Sequence, residues 1–341
     1  MKLTRFATAK SGALLLGCAT ALTVAAAVPT TGAASLSSRS TAVVHVLHKL
    51  PTLQHHADCF PPVVVSVACG GAGTPMTSGG GTIQTSPAVY IVYWGWNGRD
   101  PSGQQAYQEK FFNGVGGSTW AASQTQYCEN TTNFGATCTT GPFVGNQAGV
   151  LKGTWADNTN AVPSSPSDAA IAAEAGRAAV HFGNTTAASN ASTQYIIDTP
   201  QGNSTPGFNT QWCSYHSWST ASGGFSYTDF PYITDAGGNC GQNFVNSGSA
   251  GLLDGVSIVG GHEYAESLTD PGVGANNNFG WTDTIGAETG DKCAWIQAGP
   301  GASTNVSTGT GTFAVQSIWS NSANAGAGGC VTYYASASNQ H

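Results

Sequence analysis

The chain has 341 residues, of which only 8% are charged, and its formal net charge is -7. Its 9 tryptophans, 13 phenylalanines and 11 tyrosines need a core to bury them, which excludes a disordered chain. The few charges form no basic patch, so we expect no binding to nucleic acid or to an anionic membrane surface.

The N terminus has the pattern of a secretory signal peptide, which we place at residues 1–34. Lys2, Arg5 and Lys10 precede an apolar run over residues 13–28, and small residues follow that run. The run is too short and too rich in alanine for a membrane span. We therefore predict an exported protein, extracellular or associated with the cell wall, with no transmembrane segment in its mature form.

Two further regions follow the signal peptide. Residues 35–81 contain scattered histidines and end in a stretch rich in glycine, serine and threonine, so we predict a pro-segment or a flexible N-terminal extension. Residues 82–341 are predicted to form one large domain of the α+β class, rich in loops and held by disulfides.

Eight cysteines remain once the signal peptide is removed. An even number in an oxidising compartment predicts four disulfides. Sequence alone does not choose among the many pairings. One candidate set consists of two local loops and two longer ones: Cys59–Cys69, Cys128–Cys138, Cys213–Cys240 and Cys293–Cys330.

Strands are predicted where β-branched and aromatic residues accumulate. Residues 89–94 and 194–199 have this composition without alternation, which is typical of strands buried on both faces. Residues 312–319 alternate like a strand near the C terminus. The stretch 213–240 is predicted to be a loop-rich aromatic region.

Three segments have helical patterns: residues 102–112, 166–182 and 252–268. Ser102 is the predicted cap of the first helix, and Ser165 or Ser167 that of the second. Strands and helices alternate along the chain. The helix with a cluster of ionisable residues, at 252–268, comes late in the sequence.

That late helix carries the sequence His-Glu-Tyr-Ala-Glu at residues 262–266. Residues four apart share one face of a helix, so His262 and Glu266 can reach one metal ion. Glu263 could then polarise a metal-bound water as general base. The pattern is that of the zinc hydrolases, His-Glu-x-x-His, with glutamate replacing the second histidine. It predicts a zincin-like fold, a mixed sheet packed on helices, with one zinc ion.

A zinc site of this kind needs a third protein ligand and a position for water. Glu288 is the first candidate and Asp291 the second, on a loop that precedes Cys293. Asp270 is either a turn residue or a hydrogen-bond partner that orients His262. His216 is a catalytic candidate, as a stabiliser of the transition state, but it could also be a ligand or a packed side chain.

Two functions follow from these residues. The first is a zinc-dependent metallopeptidase acting on a peptide or protein substrate. The second is a non-catalytic protein that binds cell-wall polysaccharide and uses the metal structurally. In that alternative, exposed tryptophans stack on sugars, and the candidates are Trp94, Trp96, Trp212 and Trp218.

Residues 80–335 resemble the EXORDIUM-like family, also called phosphate-induced protein 1. The resemblance is carried by short motifs in a fixed order, at residues 89–95, 116–120, 212–216, 254–256, 262–266, 269–271, 288–293, 313–316 and 319–321, with Tyr127 and Cys330. Family members are extracellular or cell-wall proteins, linked in plants to growth. The family retains the His-Glu-x-x-Glu helix and the Glu-x-Gly-Asp-x-Cys loop, which implies that both belong to one site. Ser214 stands where the family usually has glycine.

Overall fold

The computed structural model describes residues 45–48, 74–129, 138–273 and 279–333. The predicted signal peptide, most of the predicted extension, and the cysteines at positions 59 and 69 lie outside these ranges. None of the described helices is long and apolar enough to cross a membrane.

The described residues form an α+β fold. Its strands, in chain order, are β1 (His45–His48), β2 (Thr77–Ser78), β3 (Ala88–Tyr93), β4 (Leu151–Trp155), β5 (Thr193–Asp198), β6 (Trp212–Ser219), β7 (Phe225–Phe230), β8 (Trp281–Thr282), β9 (Thr304–Ser307), β10 (Thr312–Val315), β11 (Ile318–Ser320) and β12 (Gly329–Val331). Its α-helices are α1 (Gln104–Val115), α2 (Asp168–His181), α3 (Ala187–Asn190), α4 (Asp254–Thr269) and α5 (Ala323–Gly326). Short 3-10 helices connect several of them.

The main sheet is mixed and has six strands in the order β1-β6-β7-β5-β3-β4. Strands β4, β3, β5 and β7 run parallel, whereas β6 is antiparallel to β7 and β1 is antiparallel to β6. Three two-stranded sheets pair β2 with β8, β9 with β10, and β11 with β12. The mixed sheet agrees with the sequence-based expectation.

Both predicted buried strands are confirmed as β3 and β5, but the region 213–240 is not mainly loop. It contains β6 and β7, the two strands next to β5. Their serines, threonines and histidine are not typical of buried strands, so composition did not indicate a strand here. These polar side chains are buried because they bond with α4 and neighbouring strands. The predicted C-terminal strand is two strands, β10 and β11, in different sheets, with Gln316 and Ser317 between them.

The helices are confirmed within two or three residues, with one error in capping. Ser167 caps α2 by accepting a hydrogen bond from the amide of Ala170, as predicted. The side chain of Ser102 does not cap α1. The carboxylate of Asp100 accepts the amides of Gly103, Gln104 and Gln105 instead, and the hydroxyl of Ser102 bonds with that of Tyr232.

The sheet separates two apolar layers. Alternate residues of a strand point to opposite faces, so Ile196 of β5 packs in the larger core with α1 and α4. Its neighbours Tyr195 and Ile197 pack in a smaller core with α2. Helix α4 is buried along its whole length, so its polar side chains lie inside the protein.

Three of the candidate disulfides are confirmed: Cys128–Cys138, Cys213–Cys240 and Cys293–Cys330. The second joins β6 to the segment that leads into α4. The third joins the loop after Glu288 to β12. Both disulfides therefore fix segments next to the helix that carries residues 262–266 and the loop that carries residues 288–293.

Candidate metal site

Helix α4 can lie close to neighbouring segments because it contains glycines before its polar residues 262–266. A Cβ on Gly261 would lie 3.2 Å from the Trp120 ring, and one on Gly255 only 2.0 Å from the carbonyl oxygen of Cys240. Larger residues at these positions would push α4 outward. The helix ends at Thr269, where Asp270 is followed by Pro271, a residue that disfavours a helical conformation before it.

The first group of ligand atoms combines α4 with the loop after Glu288. Nε2 of His262 lies 3.0 Å from Oε1 of Glu266 and 3.7 Å from Oδ1 of Asp291. His262 and Glu266 are buried, whereas 24% of the Asp291 side chain is exposed. These three residues could hold a metal ion, and Asp291 connects the group to solvent.

The loop reaches this group through Gly290 and Asp291. The amide of Asp291 donates a hydrogen bond to Oε1 of Glu266 at 3.0 Å. A Cβ on Gly290 would lie 2.7 Å from Nδ1 of His262 and 2.8 Å from Oε1 of Glu266. Only a residue without a side chain lets the loop backbone come this close to both side chains.

Gly290→Ala is therefore expected to weaken binding of zinc by at least about tenfold, because the added methyl group must displace His262 or Glu266. A zinc titration of the metal-free protein measures this. Gly238→Ala is the matched control, since a Cβ there meets no atom within 4 Å. Equal affinities for wild type and Gly290→Ala would show that the loop moves freely away from the helix.

The second group joins α4 to the sheet through His216 of β6. Nδ1 of His216 lies 3.3 Å from Oε2 of Glu263 and 3.5 Å from Oε2 of Glu266. All three side chains are buried, and this His/Glu/Glu group could hold a metal ion. Nε2 of the same imidazole lies 3.3 Å from the carbonyl oxygen of Asp270 and 3.6 Å from Oε1 of Glu288.

The structure brings all six predicted site residues together, but it divides the two candidates for the third ligand. Asp291, the second choice, is grouped with His262 and Glu266, whereas Glu288, the first choice, faces Nε2 of His216. Both lie on one loop three residues apart, and the amide of Glu288 donates to Oδ2 of Asp291 at 3.2 Å. This turn points the two carboxylates at different imidazoles.

Sequence reasoning missed Gln316 as the partner of His262. Oε1 of Gln316 lies 3.2 Å from Nδ1 of His262, the position proposed for Asp270. Asp270 instead accepts the amide of Gly280 at 2.8 Å and offers its carbonyl oxygen to His216. The only signal for Gln316 was its place within the predicted C-terminal strand, where a buried glutamine needs polar partners.

A buried ion pair anchors the loop that carries Glu288 and Asp291. Nζ of Lys292 lies 2.9 Å from Oδ2 of Asp283 and 4.4 Å above the centre of the Trp319 ring. Oδ1 of Asp283 accepts the amides of Ile285 and Ala287. The two ends of the loop are thus tied to each other, which holds Glu288 and Asp291 beside α4.

The tryptophans proposed as sugar platforms do not form an exposed surface. Trp94 and Trp96 are each 3% exposed, and their indole N–H groups donate to the carbonyl oxygens of Asn160 and Asp198. That part of the prediction is wrong. Trp212 and Trp218 are partly buried.

No protein-family model matches the chain, and no curated protein and no solved structure matches it either.

Proposed function

We propose that the chain is a secreted hydrolase that cleaves peptide or amide bonds with a divalent metal ion, zinc being the first candidate. One observation carries the proposal: His262, Glu266 and Asp291 converge from a buried helix and a clamped loop, with Glu263 on the same helix. The proposal also includes membership of the EXORDIUM-like family and a zincin-like arrangement of α4 on the mixed sheet.

The donor set fits zinc. One imidazole and two carboxylates are three ligands of the types that catalytic zinc sites use, and such sites leave a further position for water. A zinc ion bound there would supply a water of lowered pKa and a Lewis acid for a carbonyl group. Asp291 is the exposed member of the group, so a substrate would approach from its side.

The residues of the chain have distinct roles in this proposal. Glu263 accepts the proton of the attacking water and passes it to the leaving amine. The imidazole of His216 packs against that carboxylate, with Nδ1 3.3 Å from its Oε2, and limits the directions in which it can turn. Gln316 fixes the imidazole of His262: its Nε2 donates to the carbonyl oxygen of Gly290 at 2.8 Å, so its Oε1 faces Nδ1 of the histidine.

Glu263→Gln tests the function. The variant keeps His262, Glu266 and Asp291, so we expect it to bind zinc at that group with nearly unchanged affinity. Turnover of a broad peptide library should fall by about 100-fold or more, because amide nitrogen and oxygen cannot replace the general base.

Glu109→Gln on α1 is the matched control, since Glu109 is partly buried and lies outside the ligand groups. It should retain wild-type turnover. Equal turnover by Glu263→Gln and wild type would refute the peptidase proposal. A wild-type protein that binds no zinc would remove its premise.

A further inference from the structure

Glu266 belongs to both ligand groups through different oxygens. Its Oε1 lies 3.0 Å from Nε2 of His262, and its Oε2 lies 3.5 Å from Nδ1 of His216. One carboxylate therefore faces an imidazole nitrogen on each side. A carboxylate with this arrangement can bridge two metal ions, which in two-metal hydrolase sites lie about 3.5–4 Å apart.

The imidazole of His262 is oriented as a ligand. The amide of Gln316 donates to the carbonyl oxygens of Gly290 and Ser317, so its oxygen must accept from Nδ1 of His262. The proton is then on Nδ1, and the lone pair of Nε2 points toward carboxylate oxygens of Glu266 and Asp291. A lone pair directed at an anionic oxygen is repulsive, and a proton or a metal ion between the two atoms removes that repulsion.

The imidazole of His216 repeats this arrangement. Its Nε2 lies 3.3 Å from the carbonyl oxygen of Asp270, an acceptor that places the proton on Nε2. Nδ1 then directs its lone pair at Oε2 of Glu263 and Oε2 of Glu266. Metal-binding histidines share this property, since the nitrogen that does not bind the ion donates to an oxygen and fixes the tautomer.

The spacing and the charge agree with two ions. Ligand atoms in a four-coordinate zinc site lie about 3.4 Å apart, because each is about 2.0–2.2 Å from the ion. In the two groups, the imidazole nitrogens lie 3.0–3.7 Å from the carboxylate oxygens. The cluster also contains four carboxylates, on Glu263, Glu266, Glu288 and Asp291, whose formal charge matches that of two divalent ions.

We propose that the cluster binds a second divalent ion, held by Nδ1 of His216, Oε2 of Glu263 and Oε2 of Glu266, and bridged by Glu266 to the ion on His262 and Asp291. This proposal rests on the proposed function, because it adds an ion to the same site. Its three ligands are buried, whereas the first ion is next to the partly exposed Asp291. The second ion is thus the inner one, Glu288 and Asp270 support its histidine, and Glu263 acts as base through its other oxygen, Oε1.

The number of zinc ions per chain tests this directly. The full chain, freed of metal with a chelator, is titrated with zinc alone, and the bound zinc is counted by elemental mass spectrometry after gel filtration. We expect two ions per wild-type chain and one per chain in His216→Ala. Glu263→Gln should also retain one, and this nearly isosteric change serves if the alanine variant does not fold.

His181→Ala is the matched control, because His181 lies at the end of α2 and stacks on Trp155, outside both ligand groups. It should retain two ions. One ion in the wild type, or two in both site variants, would overturn the second site and leave the proposed function intact. No bound zinc in the wild type would overturn both proposals.

Discussion

Replacing Lys292 by methionine is expected to lower the free energy of unfolding by about 3–5 kcal/mol, because the change leaves the buried carboxylate of Asp283 without its charged partner. Burial lowers the pKa of Lys292 and the ion pair opposes that shift, so the two charges depend on each other. The loop with Glu288 and Asp291 should loosen as well, and zinc affinity should fall with stability.

Denaturant unfolding of the metal-free protein measures this effect apart from metal binding. Lys152→Met is the matched control, since Lys152 is exposed and its ammonium group bonds only a nearby carbonyl oxygen, that of Gly149. The double variant Lys292→Met with Asp283→Asn should recover part of the loss, because no buried charge is then left unpaired. A single variant within about 0.5 kcal/mol of wild type would show that the pair does not hold the loop.

Asp229 is expected to make the protein less stable as the pH rises from about 4 to about 7. Burial in the sheet raises the pKa of Asp229 to about 7, the negative charges of Asp168 and Glu263 add to the shift, and the hydrogen bond from Thr205 opposes it. The unfolded chain releases this proton near its ordinary pKa, at about 4. Between these values the folded state binds more protons, so rising pH favours unfolding, by up to about 4 kcal/mol in total.

Asp229→Asn should remove this contribution, since asparagine can still accept the hydrogen bond of Thr205 but does not ionise. We expect the variant's free energy of unfolding, measured in chelator between pH 4 and pH 8, to fall less steeply than that of wild type. Asp235→Asn, at an exposed carboxylate that accepts the amide of Gly202, is the control and should follow wild type. Parallel curves for wild type and Asp229→Asn would contradict the expectation.

Two other buried carboxyls titrate in the same direction. Burial raises the pKa of Glu174 to about 7, against the charge of Arg177, and raises that of Asp198 well above its ordinary value, against hydrogen bonds from Gln108 and Gln104. A residual slope in Asp229→Asn is therefore expected. The effect of Glu174 is common to wild type and variant, whereas the charge of Asp229 adds to the shift of Asp198, so the difference between the two curves measures Asp229 together with its coupling to Asp198.

Local sequence determined much of the framework. The runs at residues 89–94 and 194–199 are rich enough in β-branched and aromatic residues to predict buried strands, and Ser167 caps α2 because its partner amide lies three residues away. The helical spacing of His262 and Glu266 was equally local, since four residues place two side chains on one face. The cysteine pairs Cys128–Cys138, Cys213–Cys240 and Cys293–Cys330 were among the pairings that sequence allowed.

Only the tertiary structure decided which distant side chains meet that face of α4. His216 faces the helix because β6 lies antiparallel to β7, and the polar composition of both strands concealed that pairing. The ion pair between Lys292 and Asp283 holds the turn at Gly290 in place. This turn directs Glu288 toward His216 and Asp291 toward His262. Gln316 reaches His262 across 54 residues of sequence. Sequence determined the candidate ligands on one helix, whereas the contacts that can make them a two-ion site are long-range, and no local pattern encodes them.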